Sequence, residues 1–443
     1  MGEKKYKKSR FNAMSHTDAG ELILFNSYTG AIATFSKEEE GTVVAALKGE
    51  TISDQELTKN LHEMGFLVSE QVDEMLRAEF LHQTQHRTDA LHLSILPTEE
   101  CNFRCIYCYE NFPRGKMTDQ ARKGLKRFVQ EKSTVLKNLS VSWYGGEPLL
   151  ALDVIGELSE SFIASSKEND VDYSAEIATN GYYLSAEVFQ QLLDWQITRF
   201  MVTLDGPEDV HNSRRVHREG GKSFQNIFDN LLEIAKLPGD FEMHLRVNFD
   251  NSNLGSMDSL IDLLSEHFAG DPRFQMYFRP VGRWGGKNDE HMPVCDSHTA
   301  DTKVFELSES ALQKGLNMSS YVENLLTPAG AVCYCAKPTA LVVSADGSLH
   351  KCTLALDEEI NQIGQINEDG SLDLDYDRLA FWVTSGEEKD EVCQSCFFRP
   401  ACQGNNCPFY RKATGQQPCS FEKKQIKKVL NLIWQKNILL QKG

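Results

Sequence analysis

Residues 91–108 read LHLSILPTEECNFRCIYC, and this stretch decides the fold. Positions 91–97 form a short, mainly apolar run, as expected of a buried strand. The run leads directly into three cysteines at CxxxCxxC spacing: Cys101, Cys105 and Cys108. Working outward, five more strand patterns follow at 139–144, 174–179, 199–204, 244–249 and 275–280. Helical patterns separate them near 118–134, 152–168, 185–196, 223–236 and 254–268, with another near 301–315. Thr118 and Ser185 stand where N-caps are expected. Six repeats of strand then helix predict a parallel sheet with right-handed crossovers. An open doubly wound sheet and an incomplete (β/α) barrel both fit, and in either the ligands sit at the C-terminal ends of the strands.

The chain has 443 residues, enough for several domains with ample cores. Its formal net charge of −18 repels phosphate backbones, so nucleic acid is not an expected partner. Lys4, Lys5, Lys7 and Lys8 near one end, and Lys423, Lys424, Lys427 and Lys428 near the other, read as solvated tails or helix faces. The opening MGEKKYKKSR has no apolar signal region, and no run is long enough to span a bilayer. A cytoplasmic location follows as the expectation, and clustered cysteines there bind metal rather than form disulfides.

Residues 1–69 read as an α+β unit. The segment 21–35 gives two strands with a turn at Thr29-Gly30. One helix starts at Ser36, with Glu39 completing a capping box. A second starts near Ser53, with Leu57, Leu61 and Met64 on one face and Gly65 as its stop. A short strand at 66–68 completes a winged-helix-like pattern, and residues 70–90 read as a helical linker. The barrel region is expected over 91–317 and a cysteine-rich region over 318–443. That last region carries a hairpin signal at Asp346-Gly347, which would bring Cys352 back towards Cys333 and Cys335. The stretch 420–440 reads as one amphipathic helix, and Cys295 as a buried thiol.

Three thiolates on one tight loop suit an inorganic cluster. A cubane [4Fe–4S] cluster needs an outer ligand on every iron, so three thiolates leave one iron open. Zinc would want a fourth protein ligand, and none stands nearby. The strand ends carry further polar motifs. Gly145-Gly146-Glu147-Pro148 follows the second strand, Thr179-Asn180 ends the third, Thr203 and Asp205 end the fourth, and Asn248 lies on the fifth. Arg214 and Arg215 read as surface pairs, with one of them also a candidate anion ligand.

In that order and strand phase, these motifs resemble the radical S-adenosylmethionine (SAM) enzymes. The resemblance implies a partial (β/α)6 barrel and a SAM-chelating cluster on Cys101, Cys105 and Cys108. It further implies a SAM site built from Gly145, Gly146, Glu147, Thr179, Asn180, Thr203, Asp205, Arg215 and Asn248. Glu147 would pair with the SAM ammonium, and an arginine with its carboxylate. The cysteine-rich tail resembles the SPASM extension, which carries two auxiliary [4Fe–4S] clusters, for three in all. By that resemblance Cys393, Cys396, Cys402 and Cys419 hold the distal cluster, and Cys333, Cys352 and Cys407 the nearer one. Cys335 is either a fourth ligand there or a free thiol. The spacing of four residues between Cys402 and Cys407 departs from the family's three, and zinc knuckles are the competing reading of this tail.

Residues 20–68 resemble the peptide-recognition element fused to peptide maturases, where a leader peptide adds a strand to a sheet edge. A dimerisation module is the other reading. Together the resemblances imply a maturase of the ranthipeptide (freyrasin) type, which links a Cys sulfur to an unactivated carbon in a ribosomally made precursor peptide. Its electrons would come from a donor such as flavodoxin or ferredoxin. Carbon–carbon crosslinking, formylglycine formation and a non-enzymatic iron–sulfur scaffold are the alternatives.

Overall fold

The computed structural model describes residues 5–84, 86–111, 113–384 and 390–442. Two compact units emerge. The first comprises residues 1–87, 320–338 and 381–443, and the second residues 88–319 and 339–380.

In the first unit, β1 (Tyr6–Lys8) pairs antiparallel with β5 (Leu67–Ser69). Lys7 and Lys8 therefore stand in a strand rather than a tail, and Lys4 lies outside the described residues. Strands β2 (Asn12–His16), β3 (Leu22–Asn26) and β4 (Ile32–Phe35) form an antiparallel sheet in that order, with β4 at an edge. The LILFN run of β3 is buried along its whole length. Leu22 and Leu24 meet Val43, Leu47, Leu61 and Phe66 in one apolar cluster, while the C-terminal helix Ile426–Lys442 packs on β2 and β3. Helix α1 (Lys37–Leu47) starts at Ser36 with the expected capping box. Helix α2 (Gln55–Glu63) is capped by Asp54, not Ser53, because the Asp54 carboxylate accepts from the Leu57 amide. Leu61 is buried, but Met64 follows the helix and is exposed. Helix α3 (Glu74–Thr84) ends this stretch. The expected single C-terminal helix is broken at Gln425, after a short helix Phe421–Lys424.

The second unit is built on a large, mostly parallel sheet. All six expected strands are present: β6 (Ala90–Ile95), β8 (Asn138–Trp143), β9 (Asp172–Thr179), β10 (Ile197–Thr203), β12 (Glu242–Phe249) and β13 (Phe274–Pro280). Between them run α4 (Asp119–Ser133), α5 (Leu152–Glu168), α6 (Ala186–Asp194), α7 (Glu208–Arg214), α8 (Phe224–Ala235) and α9 (Met257–Phe268). The six strands lie side by side in chain order, each parallel to the next. A doubly wound sheet reverses order at a switch point; among these six strands there is none, the order that a (β/α) barrel also has. Helix α10 (Ser297–Gln313) leads to β14 (Asn317–Met318), which extends the sheet beyond β13.

On the other edge, β15 (Ala340–Val343) runs parallel to β6. The expected hairpin joins it to β16 (Ser348–His350), turning at Gly347 with φ of +85°. Strands β17 (Gln362–Ile366) and β18 (Leu372–Leu374) continue antiparallel. Several strands escaped the sequence pattern, among them β1, β2, β14, β17 and β18, and two more lie at the cysteine loop. β7 (Phe103–Cys105), inside the cysteine loop, pairs antiparallel with β11 (Arg215–His217).

Candidate active site

The cysteine loop leaves β6 and is pinned as a ribbon. Cys105 stands opposite Arg215 in the β7–β11 pair, Ile106 N donates to Arg214 O at 2.9 Å, and Arg218 N donates to Asn102 O at 2.7 Å. Cys101 is buried, with its Sγ accepting from Phe103 N at 3.3 Å, while Cys105 and Cys108 are half-buried. Burial, then the Glu147 carboxylate, push the Cys101 thiol up to about 12. Burial, then Glu110, do the same to Cys108, again to about 12. Burial also raises Cys105, against the pull of Arg215. A bound cationic centre would convert these thiols to thiolates. Three soft sulfur donors on one braced loop are the ligand type that an iron–sulfur cluster takes.

Gly145 and Gly146 are glycines because the cysteine-loop backbone crosses them. A Cβ on Gly146 would lie 2.2 Å from Glu100 O, and one on Gly145 2.6 Å from Thr98 O. Glu147 is fully buried. Its carboxylate accepts from Thr179 Oγ1 at 2.6 Å, Asn180 N at 2.7 Å and Leu149 N at 3.1 Å. It ties the loop after β8 to the end of β9. Asn180 then reaches Asn102 of the cysteine loop, Nδ2 to Oδ1, at 2.7 Å.

The second cluster of polar groups centres on Tyr107, a residue inside CIYC that sequence reading passed over. Its hydroxyl donates to Asp205 Oδ2. It accepts from Arg215 Nη1 at 2.7 Å and from Asn248 Nδ2 at 3.1 Å. Asp205 Oδ1 in turn accepts from Asn248 N at 3.0 Å. The ends of β10 and β12 and the start of β11 thus converge on the cysteine loop. Thr203, the last residue of β10, is buried one step before this network.

The paired arginines divide. Arg214 is buried, not at the surface, and forms a two-pronged ion pair with Asp250, at 3.0 and 2.8 Å. Arg215 is buried with its guanidinium over the Phe103 ring, and its Nε has no hydrogen-bond partner among the described residues. Arg214 Nε likewise has no partner among the described residues; what sets Arg215 apart is its place opposite Cys105, where its charge suits an anionic ligand group.

In the first unit, Cys393, Cys396, Cys402 and Cys419 line one cavity, with Phe398 and Pro418 among its apolar walls. Cys407 is not among the residues lining it; its Sγ accepts from Tyr410 N at 3.5 Å. Cys333 Sγ lies 3.0 Å from Cys335 Sγ, and Cys333 N donates to Asn405 O. Cys352 belongs to the second unit, where Asn361 holds its backbone on both sides. Cys295 is half-buried rather than buried. Among the described residues no helix is long and apolar enough to cross a membrane.

Comparison with known proteins gives a consistent result. Residues 95–264 match the Radical SAM superfamily. The serine-type anaerobic sulfatase-maturating enzyme of Klebsiella aerogenes is 21% identical over 342 residues, covering 71% of this chain and 78% of that protein. The cysteine-type enzyme of Clostridium novyi is 22% identical over 342 residues, covering 71% of this chain and 87% of that protein. Among solved structures, native anSMEcpe with bound AdoMet is similar at a TM-score of 0.57 and 19% identity, covering 80% of this chain and 100% of that one. The same protein with AdoMet and the Cp18Cys peptide gives a TM-score of 0.55 at 18% identity, again covering 80% of this chain and 100% of that one. The match to the Radical SAM superfamily thus covers residues 95–264, and the likeness to sulfatase-maturating enzymes extends over 71% of this chain at 21–22% identity.

Proposed function

We propose that this chain is a radical SAM maturase that installs thioether links, from Cys sulfur to an unactivated carbon, in a ribosomally made precursor peptide. The observation that supports the radical SAM part of this reading is the convergence on one cysteine loop of Asp205, Arg215 and Asn248 through Tyr107; the thioether chemistry rests on the resemblance of the tail and the N-terminal part. When bound, the cluster and SAM together supply one-electron cleavage of SAM to a 5′-deoxyadenosyl radical that takes hydrogen from carbon.

The remaining tasks fall to the chain's own residues. Cys101, Cys105 and Cys108 hold the cluster. Arg215, opposite Cys105 in the β7–β11 pair, is the candidate partner of the SAM carboxylate. Glu147 is committed to Thr179, Asn180 and Leu149. It would therefore act first by fixing the shape of the Gly145-Gly146 loop, whose carbonyls would receive the SAM ammonium, with one lone-pair site of the carboxylate left for that ammonium. Asp205 and Asn248 position Tyr107 and, with Thr203, line the SAM site. The four cysteines around one cavity suit a complete auxiliary cluster. Cys333, Cys352 and Cys407 are assigned to a second, with Cys335 as a candidate fourth ligand. The winged-helix-like N-terminal part would take the leader peptide as an added strand along edge strand β4. A flavodoxin or ferredoxin is the assigned electron donor.

A peptide substrate is supported by the sulfatase-maturating relatives and by the solved structure that holds the Cp18Cys peptide. Those relatives also favour a second reading, formylglycine formation. Against it stands the N-terminal part, which a maturase acting on a sulfatase would not need for leader binding.

The test is anaerobic incubation with reductant, SAM and a short Cys-containing precursor peptide, to be sought among the reading frames beside this gene. Thioether formation predicts 5′-deoxyadenosine, a peptide lighter by two hydrogens per link, and cysteines that no longer alkylate. A carbon–carbon link would leave the thiols alkylatable, and formylglycine would label with a hydrazide. Absence of 5′-deoxyadenosine with every cluster filled would remove the whole reading.

A further inference from the structure

The cavity lined by Cys393, Cys396, Cys402 and Cys419 is also lined by Lys423 and by Arg399, which pairs with Glu79 at 3.4 Å, and Arg411 reaches the Cys393 sulfur from behind its wall. Arg411 is buried, and each of its three nitrogens is engaged. Nε donates to Gly404 O at 3.1 Å and Nη1 to Asp390 Oδ2 at 2.9 Å. Nη2 donates to Cys393 Sγ at 3.0 Å. Asp390 also accepts from the amides of Val392 and Cys393 at 3.1 Å, which fixes the brace behind Arg411. On another side of the cavity, Lys423 Nζ lies 3.7 Å from Cys419 Sγ. Two of the four sulfurs thus receive a charged donor.

We propose that Arg411 and Lys423 are positioning residues that set the reduction potential of the cluster on these four cysteines, holding it high. The proposal rests on the assignment of Cys393, Cys396, Cys402 and Cys419 as cluster ligands. A thiolate-ligated cubane gains one negative charge when reduced. A cationic N–H directed at a ligand sulfur favours that extra charge, and burial enlarges the effect. Arg411 is the stronger of the two because its donor is closer and its fork is held by Asp390 and Gly404.

The test is a potentiometric titration of the anaerobic holoprotein followed by electron paramagnetic resonance, with iron counted in the same samples. Arg411→Gln should keep its iron while one cluster becomes harder to reduce. At the parent's midpoint its reduced-to-oxidised ratio should fall about tenfold, about 59 mV for one electron. Lys423→Gln should lower the same ratio about threefold, and Arg411→Lys should recover most of the loss. Unmoved potentials in both Gln variants at full iron would overturn the proposal. If Arg411→Gln sheds iron, Lys423→Gln decides by the same criterion. A parent protein with no cluster at these cysteines fails earlier, in the iron count, and overturns the ligand assignment itself.

Discussion

Arg214 and Arg215 are adjacent in sequence and do different work. Helix α7 ends at Arg214 and β11 begins at Arg215, and the change of backbone turns the two side chains apart. Arg214 closes a buried ion pair with Asp250, so removing it strands a buried carboxylate. Arg214→Ala should lower the unfolding free energy by about 3–5 kcal/mol. Arg215→Lys keeps the charge but loses the fork. It should weaken SAM binding by tenfold or more, about 1.4 kcal/mol, with a smaller loss of stability. Anaerobic urea melts and equilibrium SAM binding on both variants check this, and an Arg215→Lys protein that binds SAM like the parent would remove Arg215 from the site. The sequence showed two arginines and a candidate anion ligand, but not which one, because the split depends on a helix end meeting a three-residue strand. Tyr107 escaped for a related reason. Its role lies in three hydrogen-bond partners 98, 108 and 141 positions away, and only its place within CIYC could have flagged it.

At the scale of elements, the repeating strands and helices were legible because each is long enough to show its own period. The six strands were found within two residues of their ends. The β7–β11 ribbon was not, since three-residue strands carry no readable alternation. Nor was the parallel pairing of β15 with β6, which joins segments about 250 positions apart. The Gly145-Gly146 loop was read as a ligand-facing motif, and its packing adds a reason for the glycines. A methyl on Gly146 would press on backbone atoms, Glu100 O at 2.2 Å and Glu99 O at 2.7 Å, which cannot swing away as a flexible side chain could. The segment that must yield leads directly into Cys101. Gly146→Ala should therefore displace the cysteine loop and cut the iron held there severalfold, with a stability loss of about 1–3 kcal/mol from overpacking. Iron analysis and visible absorption after anaerobic reconstitution measure it. Full iron with unchanged SAM cleavage would mean that the loop tolerates the shift.

For the whole molecule, the clustered cysteines predict that cluster sites can be lost one at a time. Cys101, Cys105 and Cys108 lie in the unit of residues 88–319 and 339–380, on a loop braced by its own strand ends. Cys393, Cys396, Cys402 and Cys419 lie in the other unit, around a cavity with its own arginine brace. Sites that share no ligand and no hydrogen-bonding partner are expected to behave additively. The three cubanes of the proposed reading would correspond to about twelve irons per chain. Replacing Cys101, Cys105 and Cys108 by Ala together should remove about four, abolish SAM cleavage, and leave the remaining absorption of auxiliary clusters in place. Replacing Cys393 and Cys396 by Ala should remove about four others. The combined variant should then retain only the irons assigned to Cys333, Cys352 and Cys407. Loss of nearly all iron from either set alone would show that the sites assemble as one cooperative whole, and the independence argued from their separate ligand shells would be lost.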